Sequence, residues 1–502
     1  MSMTQEPSLL KGETLQQQLA GLDAFVRAAA QEGTPIHQAE LGIWQRLLQL
    51  GRRALQQFLD LQGSGDQGEE LTLPDGHTCQ RLPELHPRRY VSIFGAFLLQ
   101  RIAYGSREGQ KIEFVPLDNR LQLPASAFSY LLQDWDQALC VEQAFGQASA
   151  TIARILGLKQ SVDSLEQMNA DLARHVTDFR QERPRPEPGS EGEILVTSAD
   201  GKGVVLRRPP DAPAPPAHRT KGQKASQKRM ATVGAAYTVG RYVRTPEEVL
   251  AALFRDGPEP ARRPPPLHKH VWASLTPEGE AGPARSSQEV VYDWLLNEVA
   301  ERNPRLEKEM VHLCDGQEAL WQARRAQLPA RNTTDVLDVL HMTPKVWQAA
   351  HLFHSEGSAA AEAFARGRIL RVLQGGAEGV VRGLRQMGTK HRLPGAKKKA
   401  LAQVCAYLEA NRERMRYDEY LAKGYPIASG VIEGACRHLV KDRMERAGMH
   451  WTVAGAQAML DVRSTYVNGD WEAYQEYRIE RETQRLYPHR ALVRGENFQM
   501  AA

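Results

Sequence analysis

A proline-rich stretch in the middle of the chain separates two regions with different sequence patterns. The stretch QERPRPEPGSEGE, at residues 181–193, has few positions that suit regular structure, so we expect a linker and a domain boundary there. The chain has 502 residues, which is too long for a single hydrophobic core. Helical spacing of apolar residues dominates before the stretch, and strands alternate with helices after it. The sequence therefore predicts a multidomain α + α/β protein.

The region before the stretch is predicted to contain helices and a small β element. Residues 1–70 form an N-terminal helical region, and residues 71–185 form a small antiparallel β element followed by a helix-turn-helix-like, DNA-binding region. In the latter region Leu156 ends one helix, Gly157 makes a turn and Ser161 can cap the next helix. Any pair of antiparallel helices can show this spacing, so DNA reading and a plain helical hairpin both stay open.

The region after the stretch is predicted to form one α/β domain from two pieces of chain. Residues 192–342 supply the first piece and residues 424–475 the last. Between them, residues 343–423 keep an unbroken helical periodicity, which predicts an all-helical insertion. Residues 476–502 form a polar tail.

Three acidic residues have similar settings in this second region. Asp200 follows the apolar run ILVTSA, Asp315 follows MVHLC, and Glu433 lies in the first turn of a helix that begins after Ser429. Because parallel strands bring their carboxyl ends to one edge of a sheet, the three acids are expected to meet there. Carboxylates are ligands that Mg²⁺ accepts, and two such ions can support phosphodiester cleavage.

Each acid also has a purely structural interpretation. Asp200 with the glycine after it can be a hairpin turn, Asp315 can cap a strand-to-helix turn, and Glu433 can favour a helix N-terminus. Asp338 and His341 are predicted to end the strand DVLDVLH at the same sheet edge, in a mainly structural role. These alternatives stay open on the spacing of the residues alone.

Basic residues provide the candidates for DNA contacts. The net charge is only +4, so a DNA-binding surface has to be a local patch. Two basic loops, 218–229 and 390–399, fit that description, although most basic runs are solvated loops. Arg437 follows Glu433 by four residues and can bind phosphate or pair with Glu433. The candidates are Lys202, Arg219, Lys221, Lys224, Lys228, Arg229, Lys397, Lys398, Lys399 and Arg437.

The cysteines and the termini predict a soluble cytoplasmic protein. The five cysteines are odd in number, far apart and form no C-x-x-C pair, which argues against a disulfide framework and against a cysteine-based zinc site. The polar segment MSMTQEPSLLKGE predicts no signal peptide, and no apolar run is long enough to span a bilayer.

Five segments resemble motifs of the ISKra-type family of bacterial insertion-sequence transposases. They are FGAFLLQRIAYGSREGQKIEFVPLD at 94–118, SADGKGV at 198–204, LCDGQEALW at 313–321, LDVLHMTPKVWQAAHLFH at 337–354 and GYPIASGVIEGACRHLVKDRMERAGMHW at 424–451. The resemblance runs from about residue 85 to 475, and the first 80 or so residues carry no such motif. It implies a DDE transposase with an RNase H-like catalytic domain, a mixed sheet flanked by helices. In that domain Asp200, Asp315 and Glu433 would be the catalytic and metal-binding residues.

The resemblance also implies an activity and partners. The expected activity is Mg²⁺-dependent DNA cleavage and strand transfer at transposon ends, with two divalent cations and with Mn²⁺ able to substitute. The expected partners are double-stranded DNA, both terminal inverted repeats and target DNA, and further copies of the chain in a homodimer or higher oligomer. The expected location is the bacterial cytoplasm, at the nucleoid when bound. The alternatives are an RNase H-like nuclease without strand transfer and a catalytically inactive, domesticated DNA-binding protein.

Overall fold

The computed structural model describes residues 14–105, 112–207, 228–256, 262–275, 285–446 and 448–493. The protein is mixed α/β and divides into two compact units. The first unit comprises Met1–His175 with Trp471–Ala502, and the second comprises Val176–Asp470. Among the described residues, every helix is too short or too polar to cross a bilayer.

The first unit combines helices with short antiparallel strands. Its helices are α1 (Leu15–Glu32), α2 (Ile36–Gln62), α3 (Pro116–Leu121), α4 (Tyr130–Cys140), α5 (Phe145–Leu156), α6 (Val162–Ala173) and the C-terminal helix Trp471–Leu486. Its strands are β1 (Glu70–Thr72), β2 (Thr78–Arg81), β3 (His86–Ser92), β4 (Gly95–Arg101), β5 (Tyr104–Gly105) and β6 (Ile112–Phe114). A four-stranded sheet has the order β1-β2-β5-β6, and β3 and β4 form a separate hairpin.

The helix pair expected at the helix-turn-helix is present in this unit. Helix α5 ends at Leu156, and Gly157 follows in the left-handed conformation with φ of 71°. The Ser161 side chain accepts the backbone N–H of Ser164 and so caps α6. The predicted turn and cap are confirmed, whereas DNA reading by these helices stays a prediction.

The second unit contains the remaining helices and strands. Its strands are β7 (Ile194–Val205), β8 (Lys228–Val239), β9 (Leu267–Leu275), β10 (Glu309–Cys314) and β11 (Thr333–Leu337). Its helices are α7 (Val176–Glu182), α8 (Pro246–Phe254), α9 (Ser287–Arg302), α10 (Glu318–Gln327), α11 (Val339–Phe353), α12 (Ala359–Leu373), α13 (Ala377–Lys390), α14 (Gly395–Ala410), α15 (Tyr417–Ala422), α16 (Gly430–Ala435), α17 (Asp442–Met444) and α18 (Val453–Asn468). A π-helical segment, Cys436–Lys441, joins α16 to α17.

One mixed five-stranded sheet organises this unit. Its order is β11-β10-β7-β8-β9, with β7 in the middle. Strands β10 and β11 run parallel to β7, whereas β8 is antiparallel to both β7 and β9. One face of the sheet packs on apolar side chains of α11 to α15, and the other packs on α9 and α10. Both faces are therefore covered, as expected for parallel strands with apolar sequences such as MVHLC.

Strand β9 has no counterpart in the sequence prediction. Its central residues Val271, Trp272 and Ala273 are all buried, so apolar residues do not alternate with polar ones along the strand. A short run that is buried on both sides cannot be told from a helix segment by periodicity. The pairing with β8 decides the conformation here.

The proline-rich segment 181–193 is tied to the second unit by buried ion pairs. The Arg183 guanidinium pairs with Glu298 and lies 3.1 Å from the Asp470 carboxylate. The Glu191 carboxylate lies 2.6 Å from both the Arg302 guanidinium and the Lys308 ammonium. Because these contacts hold the segment, it is not a free linker, and the unit begins before it, at Val176.

The structure also differs from the expected pattern at the C-terminus and agrees with it in the helical segment. Residues 343–423, all described, form helices and contribute no strand to the sheet, although α11 already begins at Val339. That they are an insertion into a catalytic domain stays a prediction.

The C-terminal helix crosses the expected start of the polar tail at 476, because Trp471, Tyr474 and Arg478 are buried in the first unit.

Candidate active site

Asp200 lies within a long strand, which differs from the predicted strand end. Strand β7 continues past it to Val205, and Asp200 pairs with Val233 of β8. The pair Asp200-Gly201 is therefore not a hairpin turn. The parallel neighbour β10 ends with Cys314 opposite Ala199, so Asp200 stands just where that pairing stops. Asp200 therefore does lie at an edge of the parallel pairing, as expected, but the edge arises because β10 ends at Cys314 and not because β7 ends at Asp200.

The Asp200 carboxylate is bonded to the chain that follows Glu433. Its Oδ1 accepts the backbone N–H of Gly201 at 2.6 Å, and its Oδ2 accepts the Cys436 thiol at 3.4 Å. Burial, and then the charge of Asp200, raises the pKa of the Cys436 thiol, which therefore keeps its proton as a donor. Cys436 begins the π-helical segment, so this bond connects β7 to the helical chain after Glu433.

Asp315 follows directly after β10 and lies in the turn before α10. Its Oδ1 accepts the backbone N–H of Gln317 at 2.8 Å, and its carbonyl oxygen accepts the Trp321 indole N–H at 2.8 Å. Burial raises the pKa of Asp315, and the charges of Asp200 and Asp338 raise it further. Asp315 therefore lies in a strand-to-helix turn, but it does not cap α10, whose N-cap is Gln317, and its carboxyl group also interacts with other acids.

Glu433 lies in the first turn of α16, as the sequence predicts. The Ser429 side chain accepts the backbone N–H of Ile432 at 3.2 Å and caps the helix. A helix N-terminus favours an ionised carboxylate and by itself lowers its pKa. The pKa of Glu433 is instead raised, by burial first and then by the charges of Asp338 and Asp200. Burial and neighbouring acids therefore outweigh the helix dipole at Glu433.

Asp338 is a fourth acid in the same place. Strand β11 ends at Leu337, so Asp338 does not end the strand but caps α11, and His341 lies in the first turn of that helix. The Asp338 carboxylate is buried and accepts the backbone N–H groups of Leu340 at 2.7 Å and Ser429 at 2.9 Å. Burial raises the pKa of Asp338, whereas the nearby His341 lowers it.

We call Asp200, Asp315, Asp338 and Glu433 the acid cluster. The charge of Asp200 raises the pKa of each of the other three, and His341 lowers each of those three pKa values. All four donors are carboxylates, which suit a hard divalent cation that would offset their mutual repulsion. Nevertheless, no three of them bring their ligand atoms within 4.8 Å of one another in the described chain. The donor chemistry fits Mg²⁺, but the spacing does not enclose one ion between three carboxylates.

A tyrosine from the helical segment packs beside Asp315. A Cβ atom on Gly316 would lie 2.3 Å from the Tyr407 ring, so only glycine allows this approach. The Tyr407 hydroxyl bonds to the Gly316 backbone, and burial with the charges of Asp315 and Asp338 raises the pKa of Tyr407 to about 12. The Lys345 ammonium lies 4.9 Å from the centre of the same ring. Sequence reasoning missed Tyr407 because nothing in the pattern of α14 distinguishes it from a core residue.

Lys228 and Arg229, which were expected in the basic loop 218–229, instead begin strand β8, because they pair with the end of β7. Arg219, Lys221 and Lys224 fall outside the described residues. The Lys228 ammonium lies 2.7 Å from the Glu445 carboxylate, and both Lys202 and Lys228 lower the pKa of Glu445. Lys202 and Arg229 are half-buried on β7 and β8. Lys228 is therefore partly neutralised within the protein.

The other predicted basic residues lie on helices. Lys397, Lys398 and Lys399 are exposed in the first turns of α14, whereas a loop was expected, because α14 already begins at Gly395. The Lys397 ammonium donates to the Leu352 carbonyl oxygen at 3.2 Å.

Arg437 does not pair with Glu433. It lies 3.8 Å from Asp442, with a side chain that is 71% exposed. The π-helical segment begins at Cys436, so the spacing of an ordinary α-helix, on which the expected Glu433 pair depends, does not hold across it.

A cavity of about 540 Å³ beside α16 adds basic groups that the sequence analysis did not single out. We call it the basic cavity. Its described lining contains no carboxylate but includes Arg244, Arg263, Lys269 and His438. Gly430, Val431 and Gly434 of α16 also line it, whereas Glu433 does not. The run ARRPPPLHKH, at 261–270, is the sequence signal that could have indicated it.

Arg244 is held in place at the wall of this cavity. Its guanidinium donates to the Tyr425 carbonyl oxygen at 3.0 Å and lies 4.9 Å from the Tyr242 ring centre. Burial, and then the charge of Arg263, lowers the pKa of Arg244. Two guanidinium groups that repel each other across a cavity favour an anion between them.

The comparisons with known proteins do not show a family. No protein-family model matches the chain, and no curated protein matches it. Among solved structures, the chain is similar to one described as a Drosophila P element transposase strand transfer complex, with 10% sequence identity and a TM-score of 0.23. That match covers 76% of this chain and 87% of the other. A similarity of this size carries no argument about fold or function.

Proposed function

We propose that the chain is a metal-dependent DNA transposase with an RNase H-like catalytic domain. The observation that carries the proposal is the acid cluster at the end of β10. The charge of Asp200, on the central strand, raises the pKa both of Asp315, after the parallel neighbour, and of Glu433, on a helix beyond the helical segment. A mixed sheet with helices on both faces supports the same interpretation.

In this proposal the acids bind two divalent cations, Mg²⁺ or Mn²⁺. Asp200, Asp315 and Glu433 would hold them, because carboxylate oxygens are the ligands that such hard cations accept. When bound, the ions supply activation of the attacking oxygen and stabilisation of the leaving oxygen in phosphodiester cleavage and joining.

Other residues of the chain would position these acids. Asp338 holds Ser429, which caps the helix of Glu433. The Cys436 thiol donates to one oxygen of the Asp200 carboxylate and so fixes the orientation of that carboxylate. Tyr407 packs on Gly316 and so limits movement of the chain next to Asp315. His341 offsets negative charge in the acid cluster.

The basic groups would bind the DNA backbone. Lys202 on β7 lies close enough to Cys436, just after α16, to lower its pKa, and residues of α16 line the basic cavity. Lys397, Lys398 and Lys399 provide a separate exposed group on α14. Phosphate contacts position DNA without reading its sequence, so we assign these residues to backbone binding. Terminal repeats and target DNA are the proposed substrates, bound by a homodimer or higher oligomer.

A strand-transfer assay with the full chain tests this function. Linear DNA that carries the sequences flanking the gene is incubated with the protein and a target plasmid, with Mg²⁺, with Mn²⁺ or with EDTA. We expect cleaved ends and joined products in both metals and neither in EDTA. Cleavage without joining would favour an RNase H-like nuclease instead. Binding without cleavage in any metal would favour a catalytically inactive DNA-binding protein.

A further inference from the structure

A group of three different metal-binding side chains lies on the small four-stranded sheet of the first unit. The His77 Nε2 atom lies 2.8 Å from the Glu113 Oε2 atom, and the Cys79 thiol donates to the same oxygen at 3.3 Å. The three potential ligand atoms all lie within 4.8 Å of one another. Such a convergence of imidazole, thiol and carboxylate contrasts with the acid cluster, where no three carboxylates come so close.

The turn between β1 and β2 places two of these side chains. Gly76 adopts a φ of 86°, which favours glycine, and Asp75 accepts the backbone N–H of His77 at 3.0 Å. His77 is thereby fixed immediately before β2, with half of its side chain exposed. Cys79 follows two residues later on the same face of the strand and is fully buried.

A β-bulge places the third side chain. Tyr104 pairs with Phe114 and Gly105 pairs with Ile112, so Glu113 is the extra residue of β6. Bulges redirect the side chain of the residue they insert. Strand β5 lies between β2 and β6, but Gly105 has no side chain there, so the Glu113 carboxylate can reach across to His77 and Cys79.

We propose that His77, Cys79 and Glu113 bind a zinc ion, with water in the fourth position. Zinc accepts sulfur, imidazole nitrogen and carboxylate oxygen together, whereas Mg²⁺ does not suit a thiolate. Tetrahedral bonds of roughly 2.0–2.3 Å place neighbouring ligand atoms roughly 3–4 Å apart. The two hydrogen-bonded distances of 2.8 and 3.3 Å are close to that spacing, so only small shifts are needed.

The cysteines form no C-x-x-C pair, so their spacing predicted no cysteine-based zinc site. This site uses a single cysteine, and Glu113 is 34 residues away from it, so no local spacing could reveal the site. The strands of this sheet have only two to four residues each, and a metal bridging β2 and β6 would connect its inner and outer strands. Metal binding should therefore stabilise the first unit.

Cobalt and zinc titrations of the metal-free full chain test the proposal. We expect one equivalent of Co²⁺ to produce the charge-transfer absorption of a cobalt–thiolate bond and the visible bands of tetrahedral cobalt. Zn²⁺ should displace it and raise the midpoint of thermal unfolding. The variant C79A should lose the charge-transfer band. E113Q and H77Q each remove a ligand and should weaken zinc binding by more than the roughly 10–100-fold that is typical of losing a hydrogen-bond partner of a ligand.

The matched control is C140A, which removes another buried cysteine of the first unit. It should keep both the absorption band and the zinc affinity. If the wild-type chain binds no cobalt, or if C79A keeps the thiolate band, the group is only a histidine–glutamate ion pair with a thiol donor, and the proposal is overturned. Should C79A fail to fold, E113Q and H77Q still decide, because zinc affinity unchanged in both would equally contradict the site.

Discussion

The backbone N–H of Ser429 donates to the Asp338 carboxylate over 2.9 Å, which fixes the start of α16 to the residue that follows β11. The backbone N–H of Val339 donates to the Ile427 carbonyl oxygen at 2.9 Å and strengthens the same junction. Glu433 lies one turn into α16, so its position relative to the sheet depends on Asp338. A residue expected to have a mainly structural role thus connects the third acid to the strands that carry the first two.

We expect Asp338→Asn to destabilise the second unit. Its carboxylate accepts two backbone N–H groups, and an amide would place its own N–H₂ against one of them. A buried donor left unsatisfied costs about 1–3 kcal/mol, which urea unfolding can measure. Asp256→Asn, at an exposed residue paired with Arg366, is the control and should unfold like the wild type. Equal stability of the two variants would contradict this account of the junction.

Asp315→Asn should stabilise the metal-free protein at neutral pH. The pKa of Asp315 is raised in the folded state, so folding disfavours its ionised form. The destabilisation appears as the pH rises above the unfolded-state pKa and is complete above the folded-state pKa. The amide removes it and still offers an oxygen to the Gln317 N–H. Thermal unfolding in EDTA should show a higher midpoint for the variant at neutral pH and no difference in acid; a lower midpoint at neutral pH would refute the account that burial and neighbouring acids disfavour the ionised Asp315.

A second pH effect is expected in the first unit. Burial raises the pKa of Asp136 to about 7, and its Oδ2 atom is buried without a hydrogen-bond partner among the described residues. Stability should fall as the pH rises from 3.8 to about 7, because the unfolded chain ionises first. The expected loss in the free energy of unfolding is on the order of 2–4 kcal/mol. Asp136→Asn should not show this loss when urea unfolding is measured above pH 7. A wild-type stability that stays constant across the window would show that Asp136 is already ionised.

Gly316→Ala should impair both stability and the acid cluster. The added Cβ would lie 2.3 Å from the Tyr407 ring, and overpacking of this kind costs roughly 1–3 kcal/mol. Gly383→Ala is the control, because it lies inside α13 with nothing within 4 Å of its Cβ position. That control should gain roughly 0.5–1 kcal/mol. Combining Gly316→Ala with Tyr407→Ala should cost less than the sum of the single changes, whereas additive effects would mean that the ring is not the obstacle.

Local signals predicted several parts of the fold correctly. The Gly157 turn, the Ser161 cap and the Ser429 cap all follow from residues close in sequence. The first part of the motif around Asp315 was likewise predicted as an apolar strand that ends next to an acid, and β10 ends at Cys314.

Long-range pairing decided the rest. Gly201 and Gly203 locally favour a turn, but pairing with β8 keeps β7 extended through both of them. Tyr407 reaches Gly316 from more than 90 residues away in the chain, a distance over which sequence spacing carries no information. Asp338 connects β11 to the helix of Glu433 only because the backbone N–H of Ser429 donates to it. Contacts of this kind follow from the tertiary structure and cannot be read from a single sequence.

The most direct test of the central claim compares two variants, Glu433→Gln and Glu378→Gln. The measurement is how well each variant cleaves, in the presence of Mg²⁺, the DNA that flanks the gene. Both residues lie in the first turn of a helix, but Glu378 is exposed and pairs with Arg382 at 2.8 Å. Positioning of reacting groups can supply ~7–11 kcal/mol, so Glu433→Gln should lose detectable cleavage while DNA affinity holds and Glu378→Gln cleaves normally. Wild-type cleavage by Glu433→Gln would contradict its assignment to the catalytic site.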